Sequence, residues 1–125
     1  MAARTASDRR AALSRGADAE AFVVRALTEQ GWTVLARNWR GGGGELDIVV
    51  RRGSALRVVE VKARVGTADP LLGLSGAQQG RLRAAAEAFL AEYDAQVDDL
   101  AFLLAAVRRR EGRWSVEWLD DAFDG

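Results

Sequence analysis

Apolar residues recur at helical spacing near the start of the chain, where Ala19, Phe22, Val23, Ala26 and Leu27 fall on one face. The spacing predicts a helix from roughly Ala11 or Gly16 to Gln30, closed by Gly31 as a C-terminal cap. The period then changes to that of extended chain. Trp32–Asn38 reads as a strand, Trp39–Gly44 as a loop with four consecutive glycines, and Glu45–Arg52 as a second strand. Gly53-Ser54, glycine first, fits a two-residue type II′ hairpin turn, and Ala55–Ala63 is the returning strand. Arg64–Leu74 is a loop holding Pro70, the single proline. Ser75 followed by Gln78 has the spacing of a capping box. The helix it opens runs to about Tyr93, with Leu82, Ala85, Ala86, Phe89 and Leu90 inward. Leu100–Val107 is a continuous apolar run, as expected of a strand buried on both faces, and Glu111-Gly112 turns the chain into a last strand, Arg113–Leu119.

The order helix, three strands, helix, two strands predicts an α/β fold. The first three strands should be antiparallel, and the helical crossover should make the fourth parallel to the third. At 125 residues, nearly half of them apolar, the chain has the size and composition of one globular domain. Residues 16–125 are expected to form it, with 1–15 as a flexible N-terminal segment whose polar start, Met1 to about Asp8, is frayed. No apolar run approaches the ~20 residues of a membrane span. Arg4, Arg9 and Arg10 are not followed by the apolar stretch of a secretory signal. A cytoplasmic location and no membrane partner are the expectations.

Composition narrows the chemistry. Cysteine and histidine are both absent, which removes disulfides, thiolate sites, the usual zinc ligands and triads built on histidine. Catalysis would have to use carboxylates, lysine, hydroxyls or a hard, oxygen-bound metal ion. The formal net charge is zero, so no polyanionic partner is announced globally. The charges do segregate: Arg37, Arg40, Arg51, Arg52, Arg57, Lys62 and Arg64 crowd one stretch, and Glu117, Asp120, Asp121 and Asp124 gather at the end. All of the 18 basic residues except Lys62 are arginine. Lysine differs from the fixed guanidinium fork in being a compact charge that can shift its pKa.

The hairpin turn places that lysine among acids. Side chains alternate along a strand, so Glu45 and Asp47 should share a face opposite Leu46 and Ile48, and Glu60 should share one with Lys62. With Gly53-Ser54 as the turn, Asp47 lies opposite Glu60 and Glu45 opposite Lys62, about 5 Å apart at Cβ. Two facing carboxylates repel, and a divalent cation reverses the sign. Mg²⁺ takes one or two carboxylates and keeps waters and space for phosphate oxygens. It can polarise a phosphodiester, while Lys62 positions or activates water or stabilises developing charge. The competing reading is a solvated strand face with Glu45–Lys62 as a surface pair.

The ordered set Gly16-x-x-x-Glu20, Gly31-Trp32, Arg37-Asn38-Trp39-Arg40, Gly44-Glu45-Leu46-Asp47-Ile48-Val49 and Val59-Glu60-Val61-Lys62-Ala63-Arg64, ending near Ala85-Ala86, resembles the YraN-like family of endonuclease-related proteins. That family looks like part of the PD-(D/E)xK superfamily of restriction endonucleases and archaeal Holliday-junction resolvases. The resemblance implies a restriction endonuclease-like mixed sheet, an αβββαβ core with an added C-terminal strand. It also implies an Mg²⁺- or Mn²⁺-dependent DNA endonuclease, structure-selective in repair or recombination. Asp47 and Glu60 would bind the metal with the Val61 carbonyl, Lys62 would be the catalytic lysine, and Glu20 a further metal or water ligand. Gln78 or Gln79 stands where the family usually has a lysine, and related nucleases do use glutamine there. Asp99-Leu100-Ala101 replaces the usual Arg-Phe-Asp at the entry of the fourth strand.

Arg37, Arg40 and Arg64 are candidates for DNA phosphate contacts, with the glycine loop allowing close backbone approach. No recognition-helix pattern is present. Trp39, beside the glycines, is the stacking candidate, whereas Trp32, Trp114 and Trp118 are expected to pack. Related nucleases often pair, so a homodimer is compatible with the sequence. The alternative function is a non-catalytic nucleic-acid-binding or protein-interaction module on the same fold.

Overall fold

The computed structural model describes residues 6–65 and 74–120, with side chains described for 16–63 and 74–120. The expectations for 1–5, for the loop around Pro70, and for Asp121 and Asp124 lie outside the described residues, as does the side chain of Arg64. The elements are α1 (Ala6–Glu29), β1 (Thr33–Gly41), β2 (Gly44–Arg52), β3 (Ala55–Val65), α2 (Gly76–Glu92), β4 (Asp99–Arg110) and β5 (Arg113–Leu119). They build one five-stranded sheet in the order β1-β2-β3-β4-β5, with β3 and β4 parallel and the other neighbours antiparallel. This is a mixed α/β sheet of the expected class.

The two helices cover opposite faces. Ala19, Val23 and Leu27 of α1 pack on Ile48, Val50, Val59, Ala105 and Val107. Leu82, Ala85, Ala86 and Phe89 of α2 pack on Leu46, Val49, Leu56, Val58 and Leu104. Each fully buried Val, Leu or Ile side chain among these contributes about 1.5–3 kcal/mol. Gly31, at φ 92°, closes α1 in a Schellman motif: its N–H donates to the Thr28 carbonyl and that of Trp32 to the Leu27 carbonyl. Ser75 and Gln78 form the anticipated capping box.

Expectations are corrected at four places. First, α1 begins at Ala6, earlier than Ala11 or Gly16. Second, Trp39–Gly44 is not a loop. Both strands continue to a two-residue turn, Gly42-Gly43, whose φ values of 61° and 84° are those of a type I′ hairpin. Its glycines face α2: a Cβ at Gly42 would lie 2.5 Å from the Ala84 carbonyl oxygen, and one at Gly44 2.6 Å from that of Arg81. Third, alternation along β2 breaks. Leu46 joins the α2 side whereas Ile48 joins the α1 side, so they do not share a face. The break falls where Asn38, with φ 50°, lies between the pairs Arg37↔Ile48 and Trp39↔Leu46, across from Asp47. Fourth, along β4 only Leu104–Val107 is fully buried, and Leu100 at the strand entry is 38% exposed.

Gly44→Ala is expected to cost about 1–3 kcal/mol, because backbone on α2 rather than a flexible side chain occupies the space. Gly80→Ala, in the exposed middle of α2 with nothing near its Cβ, should gain ~0.5–1 kcal/mol. Denaturant unfolding of the two variants checks both signs.

Candidate active site

The β2–β3 ladder follows the register set by the Gly53-Ser54 turn, from Arg52↔Ala55 to Ile48↔Val59, and stops there. Gly53 has φ 62° and Ser54 is not in the positive region, as a type II′ turn requires. Beyond Ile48 the backbone-to-backbone bonds are replaced by side chains. The Asp47 N–H donates to Glu60 Oε2 at 3.2 Å, and the Val61 N–H donates to Asp47 Oδ2 at 2.9 Å. Asp47 and Glu60 are therefore opposed as expected, through interlocked carboxylates. Glu45 and Lys62 do not become ladder partners, because pairing has ended before their level. Glu45 instead sits opposite Arg40 on β1, 3.5 Å from its Nε, an exposed pair of little energetic weight.

Where β2 and β3 part, a cavity of about 240 Å³ opens, lined by residues that include Glu45, Asp47, Glu60, Val61, Lys62, Gln78 and Arg81. Its far wall is the first turn of α2, seated there by the glycine hairpin. Gln78 rather than Gln79 faces the cavity. Gln78 Oε1 accepts the Ser75 N–H at 3.0 Å, which leaves its amide donors for other work. Gln79 is buried, and its amide donates to the Leu74 carbonyl. Arg81, one turn further on, lines this cavity and the neighbouring one beside Arg40 and Gly43. Sequence reading missed it, since its place depends on the packing of α2 against Gly44.

Two carboxylate oxygens, Glu60 Oε1 and Glu20 Oε1, are buried with no hydrogen-bond partner among the described residues. Burial is the main reason that the Glu60 carboxyl titrates at about 10. Its hydrogen bond with Asp47 and the Asp47 charge push the same way, against the Asp47 N–H and Lys62. Glu20 reaches the same neighbourhood from α1. Its carboxyl is also raised, first by burial and then by Asp47 and Glu45, with Arg37 and a hydrogen bond from Asn38 opposing. Among the described residues no three acidic side chains form a ready cage for an ion. The chemistry on offer is a carboxylate pair with an adjacent carboxylate and a lysine, the kind of donor set that suits an ion retaining most of its waters.

Arg37 and Arg40 are exposed, Arg37 on the Glu20 side and Arg40 on the hairpin. Trp39 is not a stacking platform. Its ring packs edge-on to Phe89, 5.4 Å between centroids, within the α2-side core. Trp32, Trp114 and Trp118 pack against the α1-side core, as expected.

The raised Glu60 carboxyl has a stability consequence with a definite sign. Its folded value lies above its unfolded value, so the folded state binds the extra proton. Its contribution is complete below about pH 4.5 and is lost as pH rises toward 10. In chelator-treated protein at pH 8, Glu60→Gln should raise Tm by a few degrees, on the scale where 1 kcal/mol moves Tm by ~4 °C. The gain should shrink toward zero at pH 4.5. Thermal scans across pH check it.

A family model described as "Uncharacterised protein family UPF0102" matches residues 19–110, which include every acidic and lysine residue of the site. The UPF0102 protein of Methylorubrum populi is 39% identical over 117 residues, covering 93% of this chain and 91% of that protein. That of Synechococcus sp. is 40% identical over 119 residues, 87% of this chain and 90% of its own. That of Acidothermus cellulolyticus is 37% identical over 134 aligned positions, 97% and 99%. The chain belongs to the UPF0102 family, the YraN-like family that its motifs resemble, within the restriction endonuclease-like superfamily.

Proposed function

We propose that this protein is an Mg²⁺- or Mn²⁺-dependent DNA endonuclease that hydrolyses phosphodiester bonds, selective for branched or repair-type structures rather than for sequence. The observation that carries the reading is the buried, unpartnered Glu60 oxygen beside Asp47, at the mouth of a cleft that also holds Lys62. A carboxylate pair buried in this way needs a proton or a cation, and a divalent ion meets that need where a substrate phosphate can enter.

In this reading Asp47 and Glu60 would hold the ion, with the Val61 carbonyl, and Glu60 would do so as the carboxylate. When bound, the ion supplies polarisation of the phosphodiester and a more acidic water. Lys62 places an ammonium group beside the reacting phosphate, orienting the attacking water or stabilising the charge that develops on the phosphoryl oxygens. Glu20 serves as a further ligand to ion or water from the α1 side. Gln78 offers its amide donors to the phosphate, in the place where relatives of this superfamily use lysine or glutamine. Arg37, Arg40 and Arg64 contact neighbouring phosphates, which fixes position without reading bases. Two copies of the chain would be needed to cut both strands of a duplex in one encounter.

Cleavage of labelled single-stranded, duplex, flap and four-way-junction DNA in Mg²⁺ or Mn²⁺ tests the proposal. Wild-type protein is expected to cut at least one of these, and Lys62→Ala and Asp47→Ala to lose ~10²–10⁴-fold in rate. Metal binding and DNA binding without cleavage of any substrate would instead favour a binding module that keeps the fold. Absence of both binding activities would leave a protein-interaction role.

A further inference from the structure

The carboxylate cleft accounts for one end of β3, and the sheet continues past it. Because β3 and β4 are parallel and in register, Lys62 is level with Ala106 and Arg64 with Arg108. Arg110 is four residues beyond Ala106, or about 13 Å along the strand from the level of Lys62. The face is fixed by alternation. Leu104 packs on the α2 side, while Ala105 and Val107 pack on the α1 side. Arg109 follows them, its guanidinium 5.3 Å from the centroid of Trp114, whose ring stacks on Phe22 of α1. Arg108 and Arg110 therefore share the α2-side face of the sheet with Glu60 and Lys62, and so do their β5 partners Ser115 and Arg113.

Arg110 and Arg113 are the last register pair before the Glu111-Gly112 turn, and both are exposed. Like charges directly opposed across strands are destabilising. Among the described residues neither forms an ion pair. The acids nearest in register are Glu111, in the turn itself, and Glu117, which pairs with Ala106 back at the level of Lys62. A chain of zero net charge thus concentrates unbalanced positive charge at one hairpin. That hairpin lies on the same face of the sheet as Glu60 and Lys62, further along β4 than the level of the lysine.

We propose that the β4–β5 hairpin is a second phosphate-binding surface, on which Arg110 and Arg113 hold the DNA backbone a few nucleotides from the bond being cut. The proposal rests on the nuclease reading for the identity of the polyanion. With one backbone charge per 3.4 Å of axis on each strand, a span of ~13 Å corresponds to roughly four nucleotides. Contacts of this kind supply affinity and orientation and carry no sequence information.

The test is fluorescence anisotropy of a labelled DNA duplex and a labelled four-way junction, titrated with full-length protein in EDTA over a range of salt. Arg110→Ala/Arg113→Ala should weaken binding about tenfold near 0.1 M salt and reduce the slope of log K against log salt by about 2. Its Tm should not fall, since a like-charge pair is removed. Arg110→Lys/Arg113→Lys should keep the wild-type slope, and Arg25→Ala, on α1, should change nothing. Wild-type binding with the same affinity and slope in the double alanine variant would overturn the proposal. Cleavage by that variant at the wild-type rate would then leave the nuclease reading standing. No binding or cutting by the wild type would overturn both.

Discussion

The hydrogen bonds that tie Asp47 to Glu60 and Val61 are what allow β2 and β3 to separate while the Asp47 and Val61 amides keep partners. In a regular antiparallel ladder the amides at this level would meet carbonyls on the other strand. Here each of two amides, Asp47 and Val61, meets a carboxylate from the opposite strand. Those two amides keep partners, the sheet opens, and a cavity forms between two strands otherwise packed into the core. The cost is electrostatic. Two acidic groups are held together at a partly dry site, and one oxygen of Glu60 receives no compensating bond. The raised Glu60 carboxyl expresses that cost. On the proposed function a bound cation would offset that cost, since it would lie between the two carboxylates.

The surrounding scaffold holds this opening in shape. The left-handed residue Asn38 sits across from Asp47, where the side-chain alternation of β2 breaks. The break turns Leu46 into the α2-side core while Asp47 keeps to the cleft. The Gly42-Gly43 turn and Gly44 press against the α2 backbone at distances that leave no space for a Cβ at 42 or 44. This contact brings Gln78 and Arg81 to the wall of the cavity. From the other face α1 contributes Glu20, held by Asn38 and Arg37. The site thus draws on both layers of helix and the three N-terminal strands, so small changes in the hairpin should be felt at the carboxylates.

Much of this was legible in the sequence because it depends on local rules. The turn residues Gly53-Ser54 fix a register, and the register alone sets Asp47 against Glu60. The capping box at Ser75 and the Schellman glycine at 31 mark helix ends by hydrogen bonds made within a few residues. What was not legible depends on contacts between elements. The four glycines looked like a loop open to phosphates, and their tight approach is instead to α2. Trp39 looked exposed beside them, and its ring lies against Phe89. Glu45 was expected opposite Lys62, but the ladder ends before reaching them, since alternation rules do not foresee a splay produced by side chains capturing backbone amides. Arg81 and the Arg110–Arg113 pair gain meaning only once α2 is docked and β4 is placed parallel to β3.

The central claim is that the Asp47–Glu60 pair trades a proton for a divalent cation. Isothermal titration calorimetry of the wild-type protein with Mn²⁺ at pH 7.5, repeated in buffers of different ionisation enthalpy, counts the protons released on binding. The account predicts one site and release of about one proton per ion, with the release lost in Glu60→Gln. Binding without proton release, or no binding at all, would contradict it.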